Sequence, residues 1–277
     1  MSDVFDSRTA AVAADQLVAA GAVGAPQRRG WTGVLLGAIL PIALLVTWQL
    51  VSASGIIPAY RLPSPLEVWQ AAGDLVQRGL LLNDVEISVQ RVLLGFLFGS
   101  IGGLVIGSVV GLSTWASRLF SPTIGAIRAV PSLAWVPLLI LYLGIDENEK
   151  VLLISIGAFF PVYTTVSGAL RHVDRLLVEV GQAYGLRRIA LLARVQLPAI
   201  LPTVVSGLRL ALAQSWLFLV AAELIASSLG LGFLLSDSQA NGRIDRLFLT
   251  IILLGVLGKI TDALIGIGER KLLKRWT

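Results

Sequence analysis

The chain is organised as long apolar stretches separated by short polar ones. A helix of about twenty apolar residues crosses the ~30 Å hydrocarbon core of a bilayer. Six stretches are long and apolar enough to do so. They are residues 33–52, 91–113, 122–143, 151–170, 203–227 and 247–267. The pattern predicts an all-α polytopic membrane protein with about six transmembrane helices, and an even number of spans puts both termini on one side.

Composition supports the bilayer and excludes several kinds of chemistry. Charged residues make up 14% of the chain, where a soluble domain carries about a quarter. There is no cysteine and a single histidine, His172, so a thiolate or histidine metal site is not expected. The net charge of +5 is better explained by loops that face the cytoplasm than by nucleic acid. We therefore expect no nucleic-acid partner, and no metal or cofactor bound by this chain.

Charge placement predicts the orientation. With the N-terminus inside, the cytoplasmic segments hold most of the arginines and lysines, as the positive-inside rule requires, and the acidic loop with Asp146, Glu147 and Glu149 lies outside. Four parts follow from this topology. They are a disordered cytoplasmic tail (1–30), the first span with an external interfacial segment (31–90), a five-helix core with a cytoplasmic loop at 171–202 (91–270) and a basic cytoplasmic tail (271–277).

The external segment contains a helix start. Ser64 suits the N-cap, Pro65 suits the first turn and Glu67 completes a capping box. We expect the helix to run to about Gln77. Its mixed polarity favours a position along the outer membrane surface, either as a simple packing element or with an accessory role in uptake.

The second span carries five glycines at a spacing of four residues: Gly95, Gly99, Gly103, Gly107 and Gly111. This spacing puts them on one helical face, where another backbone can approach closely. The face is either a tight interface along a translocation path or an ordinary packing surface within the chain, and the two interpretations are compatible.

Polar residues inside the apolar spans are candidates for a substrate pathway or gate, because a charge in the membrane is costly without a partner. The candidates are Arg128, Arg209, Gln214, Ser215 and Glu223. Arg128 lies in the third span among prolines that bend helices. Alternatively, the Arg128 side chain extends to the cytoplasmic edge of the membrane. For the other candidates, the alternative interpretation is structural pairing between spans.

The stretch EVGQAYGLRRIALLARVQLP, residues 179–198, interrupts the apolar pattern on the cytoplasmic side. A helix is expected up to Tyr184, with Gly185 as a left-handed stop. A second short helix follows from Leu186 to Val195, and the Leu-Pro pair at 197 and 198 ends it. Such an element can fit a groove on a soluble partner or lie on the membrane surface.

This stretch resembles the cytoplasmic loop of ATP-binding-cassette (ABC) importer permeases, whose pattern is Glu-Ala-Ala, three residues, Gly, nine residues, Ile, any residue, Leu-Pro. Here Val180 and Gly181 replace the two alanines, and Val195 replaces the isoleucine. The stretches LPSP, SVQRVLLGF, PSLAWVPLLILYLGI, GAFFPVY, GLRLALAQSW, AAELIASSLGLG and GERKLLKRW are similar to the nitrate/sulfonate/taurine branch. The resemblance implies a type I ABC importer permease fold and a loop that docks on the ATPase. The coupling-loop residues it implies are Glu179, Ala183, Tyr184, Gly185, Leu186, Arg187, Arg188, Val195, Leu197 and Pro198. Of these, Tyr184, Leu186, Arg187 and Arg188 are expected to contact the ATPase directly, and Gly185 and the Leu-Pro pair to set the shape of the loop.

The same resemblance implies the partners and the location. It implies a homodimer in the bacterial inner membrane, surrounded by lipid, with two ATPase subunits that bind ATP and Mg on the cytoplasmic face. A periplasmic or lipid-anchored solute-binding protein would deliver a small anion such as an alkanesulfonate, taurine or nitrate. A vitamin or pyrimidine precursor is the alternative cargo. An ion-coupled secondary transporter and a membrane enzyme are rival classes, but the chain shows no convincing internal repeat and no catalytic cluster.

Overall fold

The computed structural model describes residues 31–58 and 60–273, and the side chains of these residues except 31–36, 132, 188, 272 and 273. The expected tail at 1–30 and residues 274–277 of the basic tail lie outside the described residues. Within the described ranges the chain forms helices and turns without a strand, which confirms the all-α class. The helices are α1 (Trp31–Ala53), α2 (Pro65–Gln77), α3 (Leu80–Leu112), α4 (Thr114–Ala129), α5 (Val136–Leu143), α6 (Glu147–Arg171), α7 (Arg175–Ala183), α8 (Arg188–Leu191), α9 (Leu197–Ala226), α10 (Leu231–Ala240) and α11 (Ile244–Leu273).

Four continuous helical runs are long and apolar enough to cross a membrane: Leu80–Leu112, Glu147–Arg171, Ile189–Ala226 and Ile244–Lys271. A fifth is available if the pair Thr114–Ala129 and Leu133–Leu143 forms one broken span. The apolar helical stretch Gly37–Ala53 in α1 is shorter than these runs. The chain divides into two compact units after Ile56, and α1 belongs to the first of them.

The third predicted span is not one bent helix. Its two halves meet at 82°, and a single turn of 3-10 helix, Ser132–Trp135, separates them. Val130 has an extended backbone with ψ of 124°, because the ring of Pro131 disfavours the helical conformation of the residue before it. The helix on the N-terminal side begins at Thr114, eight residues before the predicted start at 122.

The core of the second unit is built around α6, which packs along α3 on one side and α9 on the other. The glycines at 95, 99, 103, 107 and 111 all face α6. A Cβ atom at Gly103 would lie 2.8 Å from Cβ of Val162, and one at Gly111 would lie 2.9 Å from Cβ of Leu170. Since real Cβ contacts are not this short, the two backbones approach to a distance that only glycine permits. The glycine face therefore packs within the chain.

Helix α2 follows the predicted start. The Ser64 side chain accepts a hydrogen bond from the Glu67 backbone at 3.2 Å, and the Glu67 carboxylate accepts one from the Ser64 backbone at 2.6 Å. Both halves of the capping box are thus present, and the helix ends at Gln77 as expected. Helix α3 begins at Leu80, eleven residues before the predicted start of the second span.

Candidate functional site

Helix α7 ends in the turn that the sequence predicts. Gly185 has φ of 78°, in the left-handed region that glycine adopts without strain. Its N–H donates to the carbonyl of Gln182 at 2.9 Å, and the N–H of Leu186 donates to the carbonyl of Gly181 at 3.0 Å. These two bonds form a Schellman motif, which satisfies the last carbonyls of the helix. The chain is thereby turned sharply between α7 and α8.

The turn lets α7 pack back against the segment that follows. A Cβ at Gly181 would lie 2.6 Å from Cδ1 of Leu191 and 3.1 Å from Cγ2 of Val195. Leu191 is buried and Val195 is half-buried. The glycine that replaces an alanine of the family pattern at position 181 thus allows a closer contact between the two short elements than alanine would.

The predicted break at Leu197-Pro198 is wrong. The helical path continues from Ile189 to Ala226 without interruption, and Pro202, just before the predicted start of the fifth span at 203, lies inside α9. Pro198 has no N–H to bond the carbonyl four residues earlier. The chain accommodates this with a π-helical stretch, Leu192–Gln196, in which the N–H of Leu197 donates to the carbonyl of Leu192.

The outward side of this segment is apolar. Tyr184 is 84% exposed and Ile189 is 81% exposed, and Leu176 and Val180 continue the exposed apolar face along α7. Glu179, Ala183, Arg187 and Arg194 are also exposed, Leu186 and the Leu-Pro pair are half-buried, and the side chain of Arg188 lies outside the described residues. A surface with this much exposed apolar area is typical of a protein or membrane contact.

The structure does not gather the five pathway candidates into one site. Arg209 of α9 pairs with Asp262 of α11 at 2.8 Å and lies 3.5 Å from Glu269. Arg128 is exposed in the last turn of α4, Gln214 is half-buried, and Ser215 is buried with its hydroxyl donating to the Ala211 carbonyl at 2.9 Å. Among the described residues, no hydrogen bond or ion pair joins two of the five candidates.

Glu223 instead belongs to a buried polar junction, which we define as Asp84, Ser88, Arg91, Glu147 and Glu223. Only 1% of the surface of Glu223 is exposed. It accepts hydrogen bonds from the Ser88 hydroxyl at 2.9 Å, from Nη1 of Arg91 at 2.7 Å and from the backbone of Gly232 at 2.7 Å. Three donors, two on α3 and one at the start of α10, therefore compensate one buried charge.

Arg91 connects the junction to α6. It is 3% exposed, and its Nε donates to the Glu147 carboxylate at 2.7 Å. Its Nη1 also donates to the carbonyl of Leu229 at 2.8 Å. One guanidinium thus links α3, α6, α9 and the loop before α10, which a planar group with five donors can do.

The junction also caps α10. The first free N–H groups of a helix need acceptors. Here the N–H of Gly230 donates to Asp84 and that of Leu231 donates to Ser88, both at 2.8 Å. Gly230 has φ of 110°, and a Cβ there would lie 2.6 Å from Cδ of Glu223. The loop can approach the carboxylate this closely only because the residue is glycine.

Sequence reasoning missed this junction, apart from Glu223. The predicted second span begins at position 91, which leaves Asp84 and Ser88 outside it. The spacing of Asp84, Ser88 and Arg91 at i, i+4 and i+7 was the available signal, since these positions share one helical face. Their partners in α9 lie more than a hundred residues away, so spacing alone could not supply them.

Several helices long enough to cross a membrane and a sharply turned surface segment with an apolar face are typical of a membrane subunit that contacts a partner. The comparisons with known proteins identify the family. Residues 99–274 match the family described as "Binding-protein-dependent transport system inner membrane component". The chain belongs to this family, the membrane component of ABC importers, and is therefore a permease subunit and not the ATPase.

Relatives agree with this assignment. The chain is 39% identical over 248 residues to a protein of Bacillus subtilis (strain 168) named "Putative aliphatic sulfonates transport permease protein SsuC", covering 90% of this chain and 89% of the relative. It is 40% identical over 237 residues to the Escherichia coli (strain K12) protein of that name, covering 86% and 90%. It is 31% identical to "Nitrate import permease protein NrtB" of Leptolyngbya laminosa, over 83% of this chain and 84% of the relative.

A solved structure shows the same fold. The chain matches one from the inward-facing MetNI methionine ABC transporter with a TM-score of 0.60 and 20% identity, covering 71% of this chain and 96% of that one. The expected ABC importer permease fold and the family resemblance are both confirmed. The prediction of an inner-membrane location is confirmed as well, since the family is an inner membrane component.

Proposed function

We propose that this permease works as a homodimer that imports a small organic or inorganic anion, with alkanesulfonates as the first choice. An external binding protein delivers the cargo, and two ATPase subunits, which bind ATP and Mg, dock on residues 171–202 from the cytoplasm. Both termini lie in the cytoplasm. The names of the relatives support the substrate class, because sulfonate permeases cover nearly the whole chain at about 40% identity.

The observation that carries the docking proposal is the exposed apolar face of α7 and the turn after it. Leu176, Val180 and Tyr184 follow one another at a spacing of four residues and so share a face. This face lies on a short helix held in place by the Schellman turn, outside the long apolar runs. A rigid amphipathic helix with such a stripe is suited to a groove on a protein.

The docking proposal is tested with Tyr184→Asp in the complex expressed with its ATPase subunit. A charge at the centre of the apolar face should abolish co-purification of the ATPase and stimulation of ATP hydrolysis by the binding protein. Gln182→Asp is the matched control, because Gln182 is exposed on the opposite side of the same helix. Normal ATPase binding by Tyr184→Asp, or equal loss in both variants, would contradict docking on this face.

The cargo is tested with vesicles that contain the assembled transporter. Stimulation of ATP hydrolysis is measured with alkanesulfonates, taurine, nitrate and pyrimidine precursors, each with its binding protein. We expect sulfonates to stimulate most. Arg128 is retained as a pathway candidate, since an exposed cation beside the break between α4 and α5 can attract an anion. Arg128→Gln should raise the concentration of anion needed for half-maximal uptake, and unchanged uptake would remove it from the pathway.

The homodimer has support from the surface of the second unit. An apolar hollow of about 660 Å³ lies between α3, the end of α4, the 3-10 turn and α6, with Phe98, Trp135 and Phe159 in its lining. A second copy can fill such a hollow. Cross-linking of purified complex through single cysteines at Phe98 tests this, and absence of any permease–permease product in an ATPase-coupled complex would contradict the homodimer.

A further inference from the structure

Helix α2 has three faces that differ in chemistry. A helix advances by 100° per residue, so its thirteen residues (Pro65–Gln77) can be assigned to directions around the axis. One face is buried against the rest of the unit, one is polar and exposed, and one is apolar and exposed. Their centres are roughly 100–150° apart by this geometry. Three environments are therefore expected around this one helix.

The first face packs on protein. Val68, Ala71 and Leu75 are buried, and the helix contacts α3 and α11. Asp74, at the edge of this face, pairs with Arg246 in the first turn of α11 at 3.0 Å. The helix is thus fixed in rotation and in height relative to the ends of two membrane-crossing helices.

The second and third faces are both exposed but opposite in polarity. Glu67, Gln70 and Gln77 form the polar face and are all exposed. The apolar face consists of Leu66, Trp69, Gly73 and Val76, at the alternating spacing of three and four residues that makes a stripe. Trp69 is 77% exposed and Leu66 is 61% exposed. An apolar stripe of this kind needs a partner other than water.

The position of the helix indicates the partner. Helix α3 begins at Leu80, three residues after α2 ends, and α11 begins at Ile244, two residues before the arginine that pairs with α2. The stripe continues into Leu80 and Leu82, which are exposed on the first turn of α3. Because α2 lies at the ends of these spans, it is at the level where the acyl chains meet the headgroups. Tryptophan is enriched at this level, since its ring is apolar and its N–H is polar.

We propose that α2 is an interfacial anchor, with the stripe Leu66, Trp69, Gly73 and Val76 inserted at the boundary between phospholipid headgroups and acyl chains. The polar face is turned to water and the buried face to protein, which accounts for all sides of the helix. The anchor fixes the height of the α2–α3 corner in one leaflet. This inference rests on the location of the chain in a membrane and does not depend on the cargo or on ATPase docking.

The test uses the absence of cysteine from the chain, so that a single introduced cysteine carries a fluorophore at one place only. The full chain with Trp69→Cys or Leu66→Cys is labelled and reconstituted in vesicles of phosphatidylethanolamine and phosphatidylglycerol. Gln70→Cys, one residue along on the polar face, is the matched control. Each label is quenched in turn by nitroxide lipids labelled near the headgroup, by nitroxide lipids labelled near the chain end, and by aqueous iodide.

Labels at positions 66 and 69 should be quenched most by the shallow nitroxide lipid and least by iodide, and the order should invert at position 70. All three positions are exposed and substitution there removes no core contact, so the fold is retained. Equal iodide quenching at 69 and 70 would show that the stripe faces water. Protection of 69 from all three quenchers would show that protein covers it, and strongest quenching by the chain-end nitroxide would show deep insertion. Each of these three results overturns the anchor.

Discussion

The buried polar junction makes a prediction about stability that separates two of its three carboxylates, Glu223 and Glu147. Replacing Glu223 by glutamine keeps the shape of the side chain and removes its charge. The carboxylate accepts from Ser88, Arg91 and Gly232. With the amide oxygen at the position of Oε1, the bonds from Ser88 and Arg91 each weaken by about 1 kcal/mol because their acceptor becomes neutral. The amide nitrogen at the position of Oε2 cannot accept from Gly232, and leaving this buried N–H unpaired costs about 1–3 kcal/mol more. Removing one partner of a buried ion pair typically costs ~3–5 kcal/mol, in agreement with that sum.

The matched control acts on the same arginine. Glu147 also binds Arg91, but its side chain is 60% exposed. Water stabilises both its charged and its neutral form, so Glu147→Gln should lower the free energy of unfolding by only about 0–1 kcal/mol. The two variants make the same chemical change on either side of one guanidinium, but only Glu223 is buried and only Glu223 also accepts from Ser88 and Gly232.

The assay is equilibrium unfolding of the purified chain in mixed micelles, followed by tryptophan fluorescence. Trp216 lies in the buried cluster formed by α3, α6 and α9 and should report the loss of the core. We expect Glu223→Gln to unfold at a clearly lower denaturant concentration than the unsubstituted chain, and Glu147→Gln to unfold near it. Equal destabilisation by the two variants, or a Glu223→Gln effect below about 1 kcal/mol, would refute the assignment of Glu223 to a structural junction.

Three further predictions use the same unfolding assay. Gly103→Ala should destabilise by about 1–3 kcal/mol, because its Cβ would overlap α6, whereas Gly125→Ala in α4, where the added carbon meets nothing within 4 Å, should be neutral or slightly stabilising; the same sign for both would contradict the close approach. Gly185→Ala should cost about 1–2 kcal/mol through its left-handed backbone, and Gly185→Asn should recover part of it; identical values for Ala and Asn would contradict a backbone origin. Arg209→Gln should have a much smaller effect than Glu223→Gln because its ion pair is exposed, and a comparable loss would show that the pair is buried in the working protein.

Apolar length and local capping could be predicted from the sequence. The fourth and sixth predicted spans correspond to α6 and α11 within a few residues. The capping box of α2 and the stop at Gly185 were also predictable, because each is decided by neighbouring residues. The glycine face of α3 could be recognised by its spacing, although the spacing did not show which helix it meets.

The features that could not be predicted depend on contacts between residues far apart in the sequence. Hydropathy placed the start of the second span at 91, since Asp84, Glu86 and Arg91 make the preceding turns polar. The helix nevertheless begins at Leu80, because α9 and α10 supply partners for that polar face. Similarly, Pro198 was expected to end a helix, because proline has no backbone N–H to donate. A π-helical stretch absorbs that loss, and no local pattern distinguishes this outcome from a break.

The length of the helical run through α8 and α9 bears on whether lipid or protein covers the apolar face of α7. The run Ile189–Ala226 contains 38 residues, or about 57 Å at 1.5 Å per residue. A tilt of about 20° shortens its projection on the bilayer normal only to ~54 Å, and the hydrocarbon core is ~30 Å thick. Since Glu223 lies near the far end of this run, the end with Ile189 extends well beyond the acyl chains. A projection of ~54 Å also exceeds the ~40–45 Å bilayer with its headgroups, so this length favours a protein over acyl chains as the partner of Tyr184 and Ile189 and supports the docking proposed above.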